Sequence, residues 1–196
     1  SGQVILAAAG IESARLEVRL LLEHVSGCRY ADLLTSPEKM LAPPAQHVFD
    51  ALLARRVTGE PLAYLLGEAA FRGRVFQVSP AVLIPRPETD VLIELALEKL
   101  QGMSAPRVLD LGTGSGIVAI SLALECPSAS VVAIDLSADA LIVARNNAGR
   151  LGAHVDCRQG DWFLPVAGER FDIIVSNPPY VADGDPHLAL NGLPFE

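Results

Sequence analysis

The segment Ser176-Asn177-Pro178-Pro179-Tyr180 contains the residues whose types point most directly to chemistry. The side-chain carbonyl of Asn177 and the backbone carbonyl of Pro178 are neighbouring acceptors, and together they can hold both hydrogens of a planar NH2 group. Such a nitrogen is a poor nucleophile because its lone pair is delocalised. Two fixed carbonyl dipoles would orient that lone pair and stabilise the positive charge that develops during alkylation. The motif therefore indicates alkyl transfer to an amide or an exocyclic amine, with Tyr180 offering a flat face to a planar substrate or cofactor.

The residues before this motif predict that it follows a strand. The run Phe171-Asp172-Ile173-Ile174-Val175 is short and β-branched, as in a buried strand. Pro178 and Pro179 can neither extend a sheet nor start a helix at once, so the chain must leave the strand as a rigid loop. Open α/β sheets bind their ligands at this end of their strands. The alternative is a proline-rich turn in which Asn177 is an ordinary turn residue.

A glycine-rich loop predicts a cofactor site. Residues 107–111 read as a strand, Gly112-Thr113-Gly114-Ser115-Gly116 as a loop and residues 117–126 as a helix. Glycines here let the backbone approach a ligand closely at a helix N-terminus. A dinucleotide fingerprint would place its third glycine at Ile117, which argues against a nicotinamide cofactor. Because no lysine accompanies the loop, phosphate binding is not predicted, and the expectation of nucleoside binding rests on the acidic residue described next.

Acidic and aromatic residues follow the next two predicted strands. Residues 130–134 form a strand that ends at Asp135, where an acidic side chain commonly binds both ribose hydroxyls. A third strand, around residues 154–157, leads to Gly160-Asp161-Trp162-Phe163. Asp161 can accept a hydrogen bond from an adenine amino group while the aromatic side chains pack on the ring. The alternative is that Trp162 and Phe163 anchor the core.

The N-terminal part, from about Glu12 to Gly67, reads as a small helical bundle. The apolar residues of its two clearest helices are Ala14, Val18, Leu21, Leu22 and Val25, ending at Gly27, and Val48, Leu52 and Val57, ending near Gly59.

A change of pattern after this bundle predicts a β-hairpin and then a helix. Residues 68–83 alternate in polarity and are interrupted at Gly73 and Pro80. In the segment Ile84-Pro85-Arg86-Pro87-Glu88-Thr89-Asp90, a proline and two acids suit the first turn of a helix. The apolar residues of that helix are Val91, Leu92, Leu95 and Leu100. A structural role alone does not account for Arg86 between two prolines.

Composition narrows the class of function. The 196 residues suffice for one full domain and a smaller one, and the net charge of -8 with no block of lysines and arginines disfavours binding to free DNA. Cys28, Cys126 and Cys157 are scattered, which argues against a disulfide framework and against zinc, so no metal is expected. No secretory signal and no apolar run of membrane length is found, and a reducing cytoplasm fits.

Four features follow one another along the chain: the glycine loop, Asp135, the 160–163 segment and the Asn177 motif. In this order they resemble the motifs of class I S-adenosylmethionine-dependent methyltransferases. The chain also contains two further blocks, Gly59-Glu60-Pro61-Leu62-Ala63-Tyr64 and Ile84-Pro85-Arg86-Pro87-Glu88-Thr89. These blocks narrow the resemblance to the HemK/PrmC family, the glutamine N5-methyltransferases of peptide-chain release factors. The resemblance covers nearly the whole chain. It implies an α/β, Rossmann-like domain preceded by a small all-helical domain and a hairpin linker. The implied substrate is the glutamine of the Gly-Gly-Gln motif of bacterial class I release factors, methylated on its side-chain amide nitrogen.

The same resemblance implies which residues form the site. S-adenosylmethionine, which leaves as S-adenosylhomocysteine, would bind to Asp110, Gly112, Thr113, Gly114 and Gly116 at its methionine end, to Asp135 at its ribose, to Asp161 and Trp162 at its adenine, and beside Asn177. The substrate would contact Asn177, Pro178, Pro179 and Tyr180, and Arg86, Pro87 and Glu88 from the other side. Asn177, Pro178 and Tyr180 would be the catalytic residues. No general base of raised pKa is required.

We expect a helical substrate-docking domain over residues 1–67, a hairpin linker over 68–84 and a methyltransferase domain over 85–196. The family pattern continues beyond Glu196, so this last domain is expected to be incomplete at its C-terminus. A cytoplasmic monomer that binds release factors, with no direct contact to nucleic acid or membrane, is predicted. One alternative is a methyltransferase acting on exocyclic amines of nucleic acid; another is a non-catalytic module that binds a release factor.

Overall fold

The structure, a computed structural model, describes residues 1–35 and 41–178. The chain divides into two compact units, one of residues Ser1–Leu66 and one that begins at Gly67. The first unit is helical, and the second contains a hairpin and an α/β layer structure. Within the described ranges, no helix is long and apolar enough to cross a membrane.

The helical unit consists of α1 (Gly2–Ala8), α2 (Ala14–Ser26), α3 (Tyr30–Thr35), α4 (Pro43–Val57) and α5 (Leu62–Leu66). Helix α2 ends where Gly27 adopts a left-handed conformation, which confirms the predicted stop. The core of the unit is formed by Leu6, Ala14, Leu21, Phe49, Leu52, Leu53 and Leu65. The choice of Val48 and Val57 as markers of the buried stripe of α4 was wrong, since both are exposed and Phe49 and Leu53 lie inside.

An ion pair joins α2 to α4 inside this unit. Arg56 Nε donates to Glu17 Oε2 at 2.6 Å, and Ser13 Oγ donates to Glu17 Oε1 at 2.9 Å. Burial alone would raise the pKa of Glu17, but the hydrogen bonds from Arg56 and Ser13 and the charge of Arg56 hold that pKa below its usual value of 4.5. The pair therefore stabilises the helical unit only while Glu17 is ionised.

We expect the substitution Arg56→Met to lower the unfolding free energy of the helical unit by about 3 kcal/mol at pH 7, because it leaves a buried carboxylate unpaired. The contribution of a carboxylate with a lowered native pKa is present above its unfolded pKa and is lost as the pH falls through the native value. The difference in unfolding free energy between the wild type and Arg56→Met should therefore shrink below about pH 4.5. Amide hydrogen exchange of α2 and α4 measures this free energy. The control is Arg55→Met, which removes an exposed partner of Glu60 and should cost only about 0.5 kcal/mol; equal losses in both variants would contradict the assignment.

The second unit starts with a hairpin of β1 (Glu68–Phe71) and β2 (Arg74–Gln77), paired antiparallel. It continues with α6 (Glu88–Leu100), β3 (Arg107–Leu111), α7 (Ile117–Glu125), β4 (Ser130–Asp135), α8 (Ala138–Leu151), β5 (Val155–Gln159) and β6 (Ile173–Ser176). Strands β3 to β6 form a parallel sheet in the order β5-β4-β3-β6. Its central strands are apolar on both faces, since helices cover both sides of such a sheet.

The core of this unit includes Phe76, Ile93, Val108, Ala119, Ile120, Leu122 and Ala133. The predicted apolar face of α6 was partly wrong. Val91 and Leu95 are exposed, whereas Ile93, Ala96 and Leu100 are buried. A helix rich in aliphatic residues offers more than one apolar stripe, and packing against α7 and β6 selects one of them.

Polar contacts hold the hairpin to the rest of the unit. Arg72 at its turn donates to Glu125 at the end of α7, at 3.0 and 2.7 Å, and also pairs with Asp90 on α6. At its other end, the fully buried Asn147 of α8 accepts from the backbone N–H of Gln77 at 2.7 Å and donates to the Gln77 carbonyl at 2.9 Å. The chain that follows the hairpin therefore starts at a residue, Gln77, that is hydrogen-bonded to α8.

Candidate active site

The carboxyl ends of β3 and β6 define the centre of the site. After β3 the chain forms β4 and β5 on one side, whereas β6 pairs with β3 on the other, so the strand order reverses between β3 and β6. Ligands of open α/β sheets bind in the crevice at such a reversal. Leu111 pairs with Ser176, and Ser176 Oγ donates to the Leu111 carbonyl at 2.8 Å. The next residues, Gly112 and Asn177, are therefore neighbours at the sheet edge.

The glycine loop turns sharply above β3. Gly112, Gly114 and Gly116 have φ values of 72°, 54° and 81°, which only glycine adopts without strain. A Cβ at Gly116 would lie 2.9 Å from Ile120 Cδ1 and 3.1 Å from Ala144 Cβ, so this glycine permits α7 and α8 to pack closely. In contrast, a Cβ at Gly112 or Gly114 would meet no atom within 4 Å. The open space beside these two glycines is where a ligand can approach the backbone.

Asp110 lies beneath this loop and is almost completely buried. Its Oδ2 accepts from Thr113 Oγ1 at 2.6 Å and from the backbone N–H of Ala119 at 3.3 Å. Burial raises the pKa of Asp110 to about 6, opposed by these two hydrogen bonds and assisted by the nearby charge of Asp135. A positive group that enters the cleft would favour the ionised carboxylate.

Asp135 occupies the end of β4, as predicted, and braces the glycine loop. Its Oδ2 accepts from the backbone N–H of Gly114 at 2.8 Å, and its Oδ1 accepts from that of Ser137 at 2.9 Å. Ser137 caps α8 by accepting from the N–H of Ala140. The sequence predicted the position of Asp135 but not its contact with the loop, because that contact spans 21 residues and depends on strand pairing.

The segment after β5 reaches the same edge of the sheet. The backbone N–H of Gly160 donates to the Asp135 carbonyl at 3.1 Å, which brings Asp161 and Trp162 beside the end of β4. A Cβ at Gly160 would lie 2.3 Å from Pro165 Cγ, so glycine is required there. The alternative in which Trp162 and Phe163 anchor the core was wrong, since they are 54% and 52% exposed. Trp162 also has a φ of 45°, and such strained residues concentrate at functional sites.

A small cleft lies between the glycine loop, the end of β6 and the segment before α6. Its walls in the described part of the chain are Leu83, Ile84, Pro85, Thr89, Asp110, Gly112, Thr113, Gly114, Ser115, Ile117, Val118 and Asn177. Asn177 Nδ2 donates to Thr89 Oγ1 at 3.3 Å, and both residues line this cleft. The structure thus places Asn177 and the glycine loop around one opening.

The structure brings most of the predicted site residues together. Asp110, the 112–116 loop and Asn177 share the cleft, and Pro178 follows Asn177 directly. Asp135, Asp161 and Trp162 continue along the same sheet edge. Arg86, Pro87 and Glu88 are exposed, whereas Pro85 and Thr89 from the same segment line the cleft. Pro179 and Tyr180 lie outside the described residues, as does His187.

Two residues of the site have no individual role in the sequence prediction. Thr89 belongs to the segment Pro85 to Thr89, which is expected to line the site, but its hydrogen bond to Asn177 is not predicted. Asn147 donates to the carbonyl of Ser115 in the glycine loop at 2.9 Å and also to the carbonyl of Gln77 in the hairpin. It therefore links the glycine loop to the hairpin. The available signal for Asn147 was a polar residue that stands among the small apolar residues Ala144 and Ala148.

Two family models match the chain. One, described as the PrmC N-terminal domain, matches residues 1–67, and the other, described as the methyltransferase small domain, matches residues 83–191. The fold class predicted from the sequence is confirmed by the parallel sheet with its helices and by the second of these matches.

Relatives and a solved structure agree with these matches. The release factor glutamine methyltransferase of Bordetella pertussis is 55% identical over 93% of this chain and 68% of its own length. The protein of the same name from Escherichia coli is 44% identical over 94% of this chain and 67% of its own length. The chain therefore spans about two thirds of these relatives.

Among solved structures, the T. thermophilus 16S rRNA N2 G1207 methyltransferase in complex with AdoMet and guanosine superposes with a TM-score of 0.52 and 28% identity. The match covers 60% of this chain and 33% of that one. Its fold agrees with the α/β unit, but its identity is far below that of the release factor enzymes. From these levels of identity and coverage, the chain belongs to the family of release factor glutamine methyltransferases.

Proposed function

We propose that this protein transfers the methyl group of S-adenosylmethionine to the side-chain amide nitrogen of the glutamine in the Gly-Gly-Gln motif of bacterial class I release factors. The observation that carries the proposal is the position of Asn177, which lies at the switch point of the sheet and shares one cleft with the glycine loop. High identity to proteins named release factor glutamine methyltransferase supports the same substrate.

The described residues fit S-adenosylmethionine. The open space at Gly112 and Gly114 leaves room for a ligand against the backbone, and Asp110 and Asp135 supply negative charge to a ligand that is positively charged. Asp135 would hold the ribose, and Asp161 and the exposed ring of Trp162 would hold the adenine. When bound, this cofactor supplies a methyl group activated by the sulfonium.

The residues of the chain have to bind and orient a weak nucleophile. The Asn177 side-chain oxygen and the Pro178 carbonyl would accept the two hydrogens of the glutamine amide, which turns the nitrogen lone pair towards the glycine loop. These two dipoles also stabilise the positive charge that develops on nitrogen as it gains the methyl group. Alignment of the reacting atoms supplies much of the remaining rate enhancement, and the proton leaves after transfer.

The buried carboxylate of Asp110 predicts a pH dependence of cofactor binding. Because the pKa of Asp110 in the free protein is about 6 and a bound cation favours its ionised form, binding should release a proton below that pH. The affinity for S-adenosylmethionine is therefore expected to rise by several-fold from pH 5 to pH 7 and to level off above pH 7. Isothermal calorimetry at a series of pH values measures it. The substitution Asp110→Asn should flatten the profile, and an unchanged slope in that variant would contradict the assignment.

The helical unit is proposed to help hold the release factor, in accord with the match of residues 1–67 to the PrmC N-terminal domain. The division into a docking domain, a linker over 68–84 and a methyltransferase domain follows from the same proposal. A cytoplasmic location, a monomeric state and the lack of direct contact with nucleic acid stay predictions. The net charge of -8 supports the last of these.

A methyl-transfer assay tests the proposed substrate. Purified release factor should accept radiolabelled methyl groups, and a release factor in which the glutamine of Gly-Gly-Gln is replaced should accept none. Guanine-containing RNA and DNA serve as competing substrates, because the solved RNA methyltransferase shares the fold. Labelling of nucleic acid in place of the release factor would favour the alternative function.

A further inference from the structure

We infer that Thr89 is a positioning residue that holds the Asn177 amide at the cleft and accepts from its Nδ2 while Oδ1 faces the substrate. This inference rests on the proposed function, since it concerns how the motif holds the glutamine. Thr89 Oγ1 accepts a hydrogen bond from Asn177 Nδ2 at 3.3 Å, although the two residues are 88 positions apart in sequence.

Both partners of this hydrogen bond stand on fixed elements. Thr89 is buried in the first turn of α6, where its backbone N–H donates to the Arg86 carbonyl at 3.0 Å. Asn177 directly follows β6. The last residue of that strand, Ser176, pairs with Leu111 in the sheet, and its Oγ donates to the Leu111 carbonyl. The backbone of each partner is therefore tied to a helix or a strand of the core.

The orientation of the amide matters because its two ends have opposite polarity. An asparagine presents a carbonyl acceptor at one end and an NH2 donor at the other, and rotation about χ2 exchanges them. The proposed substrate group is itself an NH2, so it needs the acceptor end. With Nδ2 directed towards Thr89, Oδ1 is the opposite end of the amide. A flipped amide would present its NH2 to the substrate NH2 and would lose the hydrogen bond that orients the nucleophile. Because a hydroxyl can accept or donate, the role of Thr89 is to hold the amide in place and to satisfy Nδ2 while Oδ1 binds the substrate.

The substitutions Thr89→Val and Thr89→Ser separate this role from packing. Valine keeps the shape but removes the hydroxyl, and we expect kcat/KM for the release factor to fall about 5- to 10-fold, the loss typical of one hydrogen bond. The affinity for S-adenosylmethionine should stay within about twofold, since the cofactor loop is untouched. Serine retains the hydroxyl and should keep the activity within about twofold of the wild type.

Ser121→Ala is the matched control, because it removes another buried hydroxyl from the same unit, one with no hydrogen-bond partner in the described part of the chain. It should leave activity unchanged. Wild-type activity in Thr89→Val would overturn the inference. A loss that Thr89→Ser fails to restore would also overturn it, since packing would then explain the effect.

A second readout does not depend on the substrate. The side-chain NH2 resonances of Asn177, assigned by their absence in Asn177→Ala, report the hydrogen bond directly by NMR. Thr89→Val should shift them and speed their exchange with water, whereas Thr89→Ser should not. Unchanged resonances in Thr89→Val would overturn the link between the two residues. If the release factor were not methylated by the wild type, the proposed function would fail, and this measurement would still decide whether Thr89 orients Asn177.

Discussion

Asn177→Ala is expected to lower the turnover of release factor by about 10²-fold, the effect typical of removing one preorganised polar contact to a developing charge. Asn177 directly follows β6 and its amide is hydrogen-bonded to Thr89, so alanine removes the acceptor without disturbing the strand. The affinity for S-adenosylmethionine should change by no more than a few fold. Single-turnover kinetics and calorimetry measure the two quantities separately.

The control for this variant is Asn146→Ala, which removes an exposed asparagine from α8. It should retain wild-type turnover. If Asn177→Ala turned over release factor normally, Asn177 would be removed from the mechanism. A parallel loss of cofactor affinity would instead indicate that the substitution disturbs the glycine loop next to it.

Asp135→Ala is expected to weaken S-adenosylmethionine binding by about 10²-fold, since hydrogen bonds to a charged group are among the stronger ones. Two effects combine in this variant. The proposed bonds to the ribose are lost, and so is the bond from the Gly114 N–H that holds the loop in place. Calorimetric titration with S-adenosylmethionine measures the change, and unchanged affinity would contradict the role of Asp135.

Asp139→Ala provides the matched control, because it removes an exposed acid four residues further along, in the first turn of α8. Its affinity for the cofactor should equal that of the wild type. Asp135→Asn gives a finer test. It retains one acceptor oxygen but turns an NH2 group towards one of the two backbone N–H donors, so it should bind more weakly than the wild type.

Where local residue types alone restrict the backbone, the predictions from sequence agree with the structure. Strand β3 covers the predicted residues 107–111, and the glycine loop turns with positive φ at Gly112, Gly114 and Gly116. Gly27 ends α2 in the left-handed conformation. Asn177 follows a strand because the β-branched run before it and the prolines after it allow little else.

Predictions of which face is buried were less successful. In α4 and α6, apolar residues lie on more than one side, and Val48, Val57, Val91 and Leu95 turned out to be exposed. The aromatic side chains of Trp162 and Phe163 are exposed as well. Burial depends on which neighbours an element meets, and a hydrophobic residue carries no information about its partner.

The sequence by itself determined the chemistry that this protein can carry out: a pair of carbonyl acceptors after a strand, a glycine turn, and acids at two further strand ends. Only the tertiary structure decided how these groups meet. The reversal of strand order sets Asn177 beside Gly112, strand pairing sets Asp135 against Gly114, and the packing of α6 sets Thr89 against Asn177. The physical reason is that each contact joins segments distant in sequence, whose meeting depends on the burial of the whole core and not on any local preference.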